Sequence, residues 1–393
     1  MKKNKYDVMV IGAGPSGSMA AKFLALKGYD VVMIEKRPVI GTPVRCGEAT
    51  GARKRLADFI TVDESYIETD LNGVMLYGPG GQSVKKEMPG VGLMLDRSIF
   101  DPFCAQEAEE AGAEVVVNAR ATDVGKVENG FRAVKVMHLE TEVEILAKMV
   151  IGADGVEALT GRWTGLKSRQ LPPYSCSAIE LRIDAIDENP DYLTFWQGCD
   201  YINDGYIWSF PKMKTQATNF GAGFITPKMN TPNIYEVADE WREKLFPGSN
   251  ILDVSGGLVP VSGSLEEQVA DHFLLVGDAA HHTNPLTGGG IASGMFSGQI
   301  AADVLDECFK AGDLSKGALK KYEQKCWEKF GKQHMRELKG RDYVLGMKPA
   351  DQIAFYKVLK LGLEKGKWSA FINHPIVAVK TALDLRKITN SVK

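Results

Sequence analysis

Cysteine is sparse in this chain. Its 393 residues hold six, at 46, 104, 176, 199, 308 and 326, with no Cys-x-x-Cys pair. That excludes a disulfide framework and the usual zinc and iron–sulfur spacings, and it points to a reducing cytoplasm. No apolar run approaches the roughly 18 residues that span a bilayer, so contact with lipid is expected to be peripheral, at the inner face of the cell membrane. The opening Met1-Lys-Lys-Asn-Lys-Tyr-Asp is basic, but the apolar stretch behind it is too short for an export signal and reads as a strand. Neither sign of charge predominates: 47 Lys+Arg against 50 Asp+Glu leave a net −3. No positive field draws nucleic acid, and none is expected as a partner. Repeats and low-complexity segments are absent. The neighbours His281 and His282 would diverge on a helix, so a structural role is favoured over a metal site.

Against these absences stands a hydrophobic content of 44%, enough for a sizeable core in a soluble globular protein of two or three domains. The most informative segment is Val10-Ile-Gly-Ala-Gly-Pro-Ser-Gly17, which ends 18 residues before Glu35. Tyr6 to Ile11 reads as a buried parallel strand, Ser16 to Lys27 as a helix, and Asp30 to Ile34 as a second strand. In that order Gly12 allows a tight turn, Gly14 lets a pyrophosphate approach the helix N-terminus with Pro15 and Ser16, and Gly17 lets helix press on sheet. Glu35 is placed for a ribose 2′-hydroxyl and against a 2′-phosphate. Two further strands, Met149 to Gly155 and Phe273 to Ala280, each run into an acid at a turn. Asp278 there suits the hydroxyls of a ribityl chain, and residues 285 to 291 open another helix N-terminus for anionic oxygens.

Elsewhere the organisation is discontinuous. Glu114 to Asn118, Ala121 to Val127 and Phe131 to Met137 read as strands, with Asn129-Gly130 as a type I′ hairpin turn. Residues 175 to 226 are β-rich and aromatic, residues 291 to 310 and 315 to 343 helical, and 350 to 390 carry helical patterns broken by Pro375. The expected fold is α/β, or α+β overall: a Rossmann-like domain over 1–72, 96–172 and 255–312, a β-rich substrate domain over 73–95 and 173–254, and a helical region over 313–393.

Within Tyr206-Ile-Trp-Ser-Phe-Pro211, alternation puts Tyr206, Trp208 and Phe210 on one strand face. From pattern alone this face packs on a core or lines a pocket. Cys46, between Arg45 and Gly47, is either a small packing residue or a thiol that the adjacent cation favours as thiolate. Arg97 is either an ordinary surface arginine or a ligand contact.

Four segments bear on those alternatives: Pro43-Val-Arg-Cys-Gly-Glu48, Tyr206-Ile-Trp-Ser-Phe-Pro211, Phe220-Gly-Ala-Gly223 and Asn284-Pro-Leu-Thr-Gly-Gly-Gly-Ile291. Through them, and over nearly its whole length, the chain resembles FAD proteins of the glutathione-reductase superfamily, in the branch of para-hydroxybenzoate hydroxylase. Within it the chain is most similar to the geranylgeranyl reductases, above all those acting on archaeal digeranylgeranylglycerophospholipids. His281 departs from the family, where a small residue is usual. The resemblance implies FAD as cofactor and a glutathione-reductase-type FAD domain with an inserted antiparallel substrate sheet. It also implies contacts to the cofactor from Arg45, Cys46, Gly47, Arg97, Gly289, Gly290, Ile291 and the strand at Ala121, with Cys46, Tyr206 and Trp208 as catalytic residues. The expected reaction is saturation of geranylgeranyl chains on an ether phospholipid, with hydride from reduced flavin N5 and a proton from solvent or an acid. The electron donor is expected to be NAD(P)H or a ferredoxin, since no second glycine fingerprint appears. An aromatic hydroxylase and a non-redox flavin-dependent cyclase or lipid binder are the alternatives.

Overall fold

The computed structural model describes residues 1–169, 174–225 and 233–365. The apolar segment Trp368 to Ala382 and the break at Pro375 lie outside them.

Val8 to Ile11 are all buried, as a central parallel strand covered on both faces must be. They belong to β1 (Lys5–Ile11), which is followed by α1 (Pro15–Leu26) and β2 (Val31–Ile34). Pro15 opens α1 at a position whose N–H needs no helical partner. The chain then forms β3 (Ala49–Gly51), α2 (Arg53–Leu56), β4 (Ile67–Gly78), β5 (Gln82–Leu95) and α3 (Arg97–Glu110). Next come β6 (Glu114–Val116), β7 (Ala119–Glu128), β8 (Phe131–His138), β9 (Thr141–Gly152) and α4 (Leu159–Trp163). A second β-rich stretch holds β10 (Ser175–Ile183), β11 (Tyr192–Gly198), β12 (Ile202–Lys212), β13 (Ala217–Ile225), α5 (Ile234–Leu245) and β14 (Ile251–Pro260). The rest is β15 (Val269–Ala270), β16 (Phe273–Leu275), α6 (Ile291–Ala311), α7 (Lys316–Cys326), α8 (Lys332–Leu345) and α9 (Pro349–Lys365).

The first sheet runs β15-β16-β9-β1-β2-β6, and its strands from β16 to β6 are mutually parallel. β7 and β8 join it as a meander on β9, turning at Asn129-Gly130 with φ of 51° and 78°. Both values are what a type I′ turn requires. β1 is the switch point: α1 carries the chain to β2 on one side, and β9 lies on the other, so the crevice for a ligand opens at the C-terminal ends of β1, β2, β9 and β16. Apolar residues of α1, α6 and α7 cover one face of the sheet, and those of the meander cover the other.

The second sheet runs β14-β10-β13-β12-β11-β4-β5-β3 and is antiparallel except between β11 and β4. The expected divisions after residues 72 and 254 fall inside β4 and β14. α5, a helix in the stretch read as β-rich, covers the back of this sheet with Trp241 and Leu245 against Leu181, Ile207 and Phe220. α5 carries its own helical spacing, with Ala238, Trp241 and Leu245 inward, and the β-rich reading passed over it.

Two of the fingerprint glycines, Gly12 and Gly17, act through close approach. A Cβ on Gly12 would lie 2.3 Å from the Ala153 carbonyl oxygen, and one on Gly17 would lie 2.0 Å from that of Gly12. Gly17→Ala is therefore expected to destabilise the protein by about 1–3 kcal/mol, the usual cost of overpacking. A melting temperature unchanged from the parent protein would refute the tight contact.

Candidate active site

Glu35 closes β2 and turns back to the glycine loop. Its Oε2 accepts from the Ala13 N–H at 3.2 Å and its Oε1 from the Arg37 N–H at 3.0 Å. Its carbonyl takes the Ala119 N–H, which fixes the start of β7 and the buried Ala121 two residues on. Around Gly14 the space is open: a Cβ there would meet nothing within 4 Å. No side chain caps α1 and no acid occupies its first turn, so the N-terminal N–H groups and the positive end of the helix face that space. Ser16 points the other way. Its Oγ would lie 2.2 Å from a Cβ on Gly277 and 2.4 Å from one on Gly294, so it seats α1 against α6 and the Asp278 turn.

Asp278 lies in the short turn Gly277–Ala280. Its Oδ1 accepts from the Thr283 hydroxyl at 2.8 Å, and burial pushes its carboxyl up. Gly290 backs onto the same oxygen, with its Cβ position 2.9 Å away, and precedes Ile291 at the start of α6, a second helix without a side-chain cap. Two open helix N-termini thus flank the strand ends with a carboxylate near each. Open space at Gly14 and uncapped N–H groups are what a dinucleotide pyrophosphate needs, so these residues fit FAD.

The Cys46 loop approaches from the side of the second sheet. Of the two readings of Cys46, the thiolate favoured by Arg45 does not fit. Arg45 is exposed, and burial pushes the Cys46 thiol up. The cation that acts on the sulfur is Arg97, which also grips Asp101 through two hydrogen bonds of 2.7 and 2.6 Å. Cys46 Sγ accepts from the Glu48 N–H at 3.2 Å. Glu48, in turn, is a buried node. Its Oε2 accepts from Lys212 Nζ and Asn219 Nδ2, both at 2.7 Å, and its Oε1 accepts from the Arg97 N–H at 2.7 Å.

Tyr206, Trp208 and Phe210 form one face of β12, while Ile207 packs on the α5 side. Ring centroids along this face are 5.9 and 6.2 Å apart, and Phe195 meets Tyr206 and Phe210 edge-on. Glycines of β13 make the space: a Cβ on Gly221 would lie 2.2 Å from the Trp208 ring. The Tyr206 hydroxyl donates to the Thr287 carbonyl at 2.6 Å, which ties the wall to the loop before α6. A Cβ on Gly47 would lie 3.0 Å from the Phe210 ring. The wall therefore faces both the Cys46–Gly47 loop and the 284–291 loop.

Glu180 and Lys212 escaped the sequence reading. The available signal was a carboxylate in the middle of β10, on the face it shares with Cys176, Ala178 and Arg182. His281 is buried with Nδ1 2.8 Å from the Ser262 hydroxyl oxygen, and burial pushes it down to about 4. It is a neutral packing residue at neutral pH. Among the described residues no group of three His, Cys, Asp or Glu could hold a metal ion, and no helix is long and apolar enough to cross a membrane.

A parallel sheet with helices on one face and a β-meander on the other, whose switch point carries this phosphate cradle, joined to an aromatic-faced sheet, defines an FAD-dependent oxidoreductase. The model of the FAD binding domain matches residues 5–197, and that of the geranylgeranyl reductase catalytic domain matches residues 175–259. The chain is 40% identical over 331 residues to the digeranylgeranylglycerophospholipid reductase of Methanosarcina acetivorans, across 83% of this chain and 81% of that protein. To the protein of the same name from Thermoplasma volcanium it is 40% identical over 341 residues, 84% and 85% of the two chains. A geranylgeranyl bacteriochlorophyll reductase-like structure from Thermoplasma acidophilum superposes with a TM-score of 0.87 at 35% identity, over 97% of this chain and 99% of that one. The chain belongs to the digeranylgeranylglycerophospholipid reductase family. A p-nitrophenol 4-monooxygenase from Pseudomonas putida, with a TM-score of 0.77 at 17% identity over 98% and 99% of the chains, shares the fold alone.

Glu35→Arg should weaken FAD retention tenfold or more, since it replaces a charged hydrogen-bond acceptor, worth roughly 1.5–3 kcal/mol, with a cation. Fluorescence titration of the FAD-stripped protein measures it, and parent-like affinity would remove Glu35 from the adenosine site.

Proposed function

We propose that this protein saturates the carbon–carbon double bonds of geranylgeranyl chains on an ether phospholipid of the archaeal type. The observation that carries the reading is the Tyr206-Trp208-Phe210 wall set against the Cys46–Gly47 and 284–291 loops. A polyprenyl chain offers no hydrogen-bonding group, so its affinity comes from apolar burial at about 25 cal/mol per Å². An aromatic sheet face supplies that surface.

In this reading Gly12, Gly14, Pro15, Gly17, Glu35, Ala121 and, through its backbone N–H at the start of α1, Ser16 hold the adenosine and pyrophosphate. Arg45, Cys46, Gly47, Arg97, Asp278, Gly289, Gly290 and Ile291 hold the rest of FAD. Residues 73–95 and 173–254 form the substrate domain, 1–72, 96–172 and 255–312 the FAD domain, and 313–393 a helical region. When bound and reduced, FAD supplies a hydride equivalent at the flavin N5. The chain's residues do the rest. An isolated trisubstituted alkene has no carbonyl to take up charge, so the less substituted carbon must gain a proton while positive charge grows on the other. Trp208 and Tyr206 present ring faces that stabilise this charge. Cys46 keeps its proton and shapes the loop against the wall. Either NAD(P)H or a ferredoxin supplies the electrons, and the protein works as a peripheral partner of the membrane's cytoplasmic face.

Anaerobically reduced protein should be reoxidised by geranylgeranyl ether phospholipid, with one deuterium taken up from D2O per bond reduced. Trp208→Ala should slow that reoxidation by about 30-fold, for a loss of roughly 2 kcal/mol of cation–π stabilisation, and leave FAD binding nearly unchanged. Fast oxygen-dependent hydroxylation of a phenol, with no reoxidation by lipid, would replace the reductase reading.

Membrane contact is tested by flotation. The protein should rise with anionic ether-lipid vesicles at low salt and be released by carbonate, and failure to float would remove the peripheral partner.

A further inference from the structure

Alkene saturation needs a proton donor as well as a hydride, and the thiol at Cys46 is not the only group poised at the wall. We infer that Glu180 is the acid that protonates the less substituted alkene carbon, an inference that rests on the reductase reading above.

Glu180 lies in the middle of β10, paired with Gly221 of β13 and Ser255 of β14. Trp208 pairs with the same Gly221 from the other side, so the indole lies over the glycine and its N–H borders the carboxyl without closing a hydrogen bond. The residue is 9% exposed. Its Oε2 lies 3.6 Å from the Cβ position of Gly47, a position also 3.0 Å from the Phe210 ring. That oxygen thus points at the junction of the Cys46–Gly47 loop and the aromatic wall.

Among the described residues it is the one fully buried carboxyl oxygen without a hydrogen-bond partner. The neighbouring carboxylates are committed. Glu48 accepts from Lys212, Asn219 and the Arg97 N–H, and Glu68 accepts from the Thr215 N–H and hydroxyl. A purely structural buried carboxyl would be satisfied in the same way, because an unpaired buried polar atom is costly. Burial holds the Glu180 proton on, reinforced by the negative Glu48 and opposed by Lys212 from β12, the Trp208 N–H and Arg182 on its own strand. Burial thus favours the protonated form, the form that has a proton to give.

The step balances. The Glu180 O–H bond breaks as the alkene π pair forms the new C–H bond. The tertiary carbon takes the hydride supplied by the reduced cofactor, whose two electrons end in the second C–H bond. Water returns a proton to the carboxylate.

The test uses the FAD-loaded protein, reduced anaerobically and mixed with geranylgeranyl ether phospholipid in micelles. Glu180→Gln keeps the shape and removes the proton. It should slow lipid-dependent reoxidation by about 10²–10⁴-fold, the range for general acid catalysis, and leave FAD content and reoxidation by dioxygen unchanged. The parent rate should fall as pH rises through the raised Glu180 pKa, and the residual rate of Glu180→Gln should not follow. Infrared difference spectra of the oxidised proteins, parent minus Glu180→Gln, should show a carboxylic acid C=O band at neutral pH. Glu180→Asp, which keeps the acid but withdraws it by one methylene, should retain the band and an intermediate rate, and it decides the matter if the glutamine variant does not fold. A parent-like rate in Glu180→Gln, or the absence of the band, overturns the assignment. A parent protein that lipid does not reoxidise overturns the reductase reading and this inference with it, whereas a reactive parent with an equally reactive Glu180→Gln overturns Glu180 alone.

Discussion

The Glu48–Lys212 ion pair is the constraint on which the site depends. Its charges are 2.7 Å apart, and both side chains are buried to within a few per cent. Two charges taken out of water contribute little net stability, yet removing one strands the other at a cost of about 3–5 kcal/mol. The pair therefore works as a register pin. Glu48 sits on the loop that leaves the first sheet, with φ of 66°, and its oxygens reach the end of β12, the adjacent strand β13 and the N-terminus of α3. Any slip of β12 against that loop would break all of these bonds together.

What the pin secures is the approach of Gly47 to the Phe210 ring and to Glu180. A second tie, from the Tyr206 hydroxyl to the Thr287 carbonyl, holds the opposite end of the aromatic wall to the loop that begins α6. The wall is thus fixed at both ends to two loops that belong to the cofactor side of the molecule. Apolar surface and the buried Glu180 carboxyl converge in one place that the bulk solvent scarcely reaches, the setting in which small electrostatic differences carry most weight.

The parallel sheet was legible because its signals are local. A strand, a glycine turn, a helix and a carboxylate lie within thirty residues; Gly17 is required by a contact inside that unit, Gly12 by one to Ala153, and Gly14 leaves open space at the helix N-terminus. The meander was legible for the same reason, since Asn129-Gly130 encodes its own turn. Alternation in β12 was equally visible, but it left a core face and a pocket wall indistinguishable, because both bury the same three rings. The thiolate reading of Cys46 failed on a point that no local pattern holds. Sequence adjacency put Arg45 beside the sulfur, whereas folding sent Arg45 to the surface and brought Arg97 in, together with the desolvation that raises the thiol.

The sequence by itself determined the cofactor class, the parallel sheet that binds it and the existence of an aromatic strand face, since these follow from backbone geometry and side-chain alternation over short spans. The tertiary structure decided which polar groups meet. Glu48 and Lys212 are 164 residues apart, and Glu180 comes to face Gly47 only because β10, β13 and β12 pair in one register across Gly221. Strand pairing of that range is set by the packing of whole sheets against one another, and a chain of isolated patterns carries no record of it.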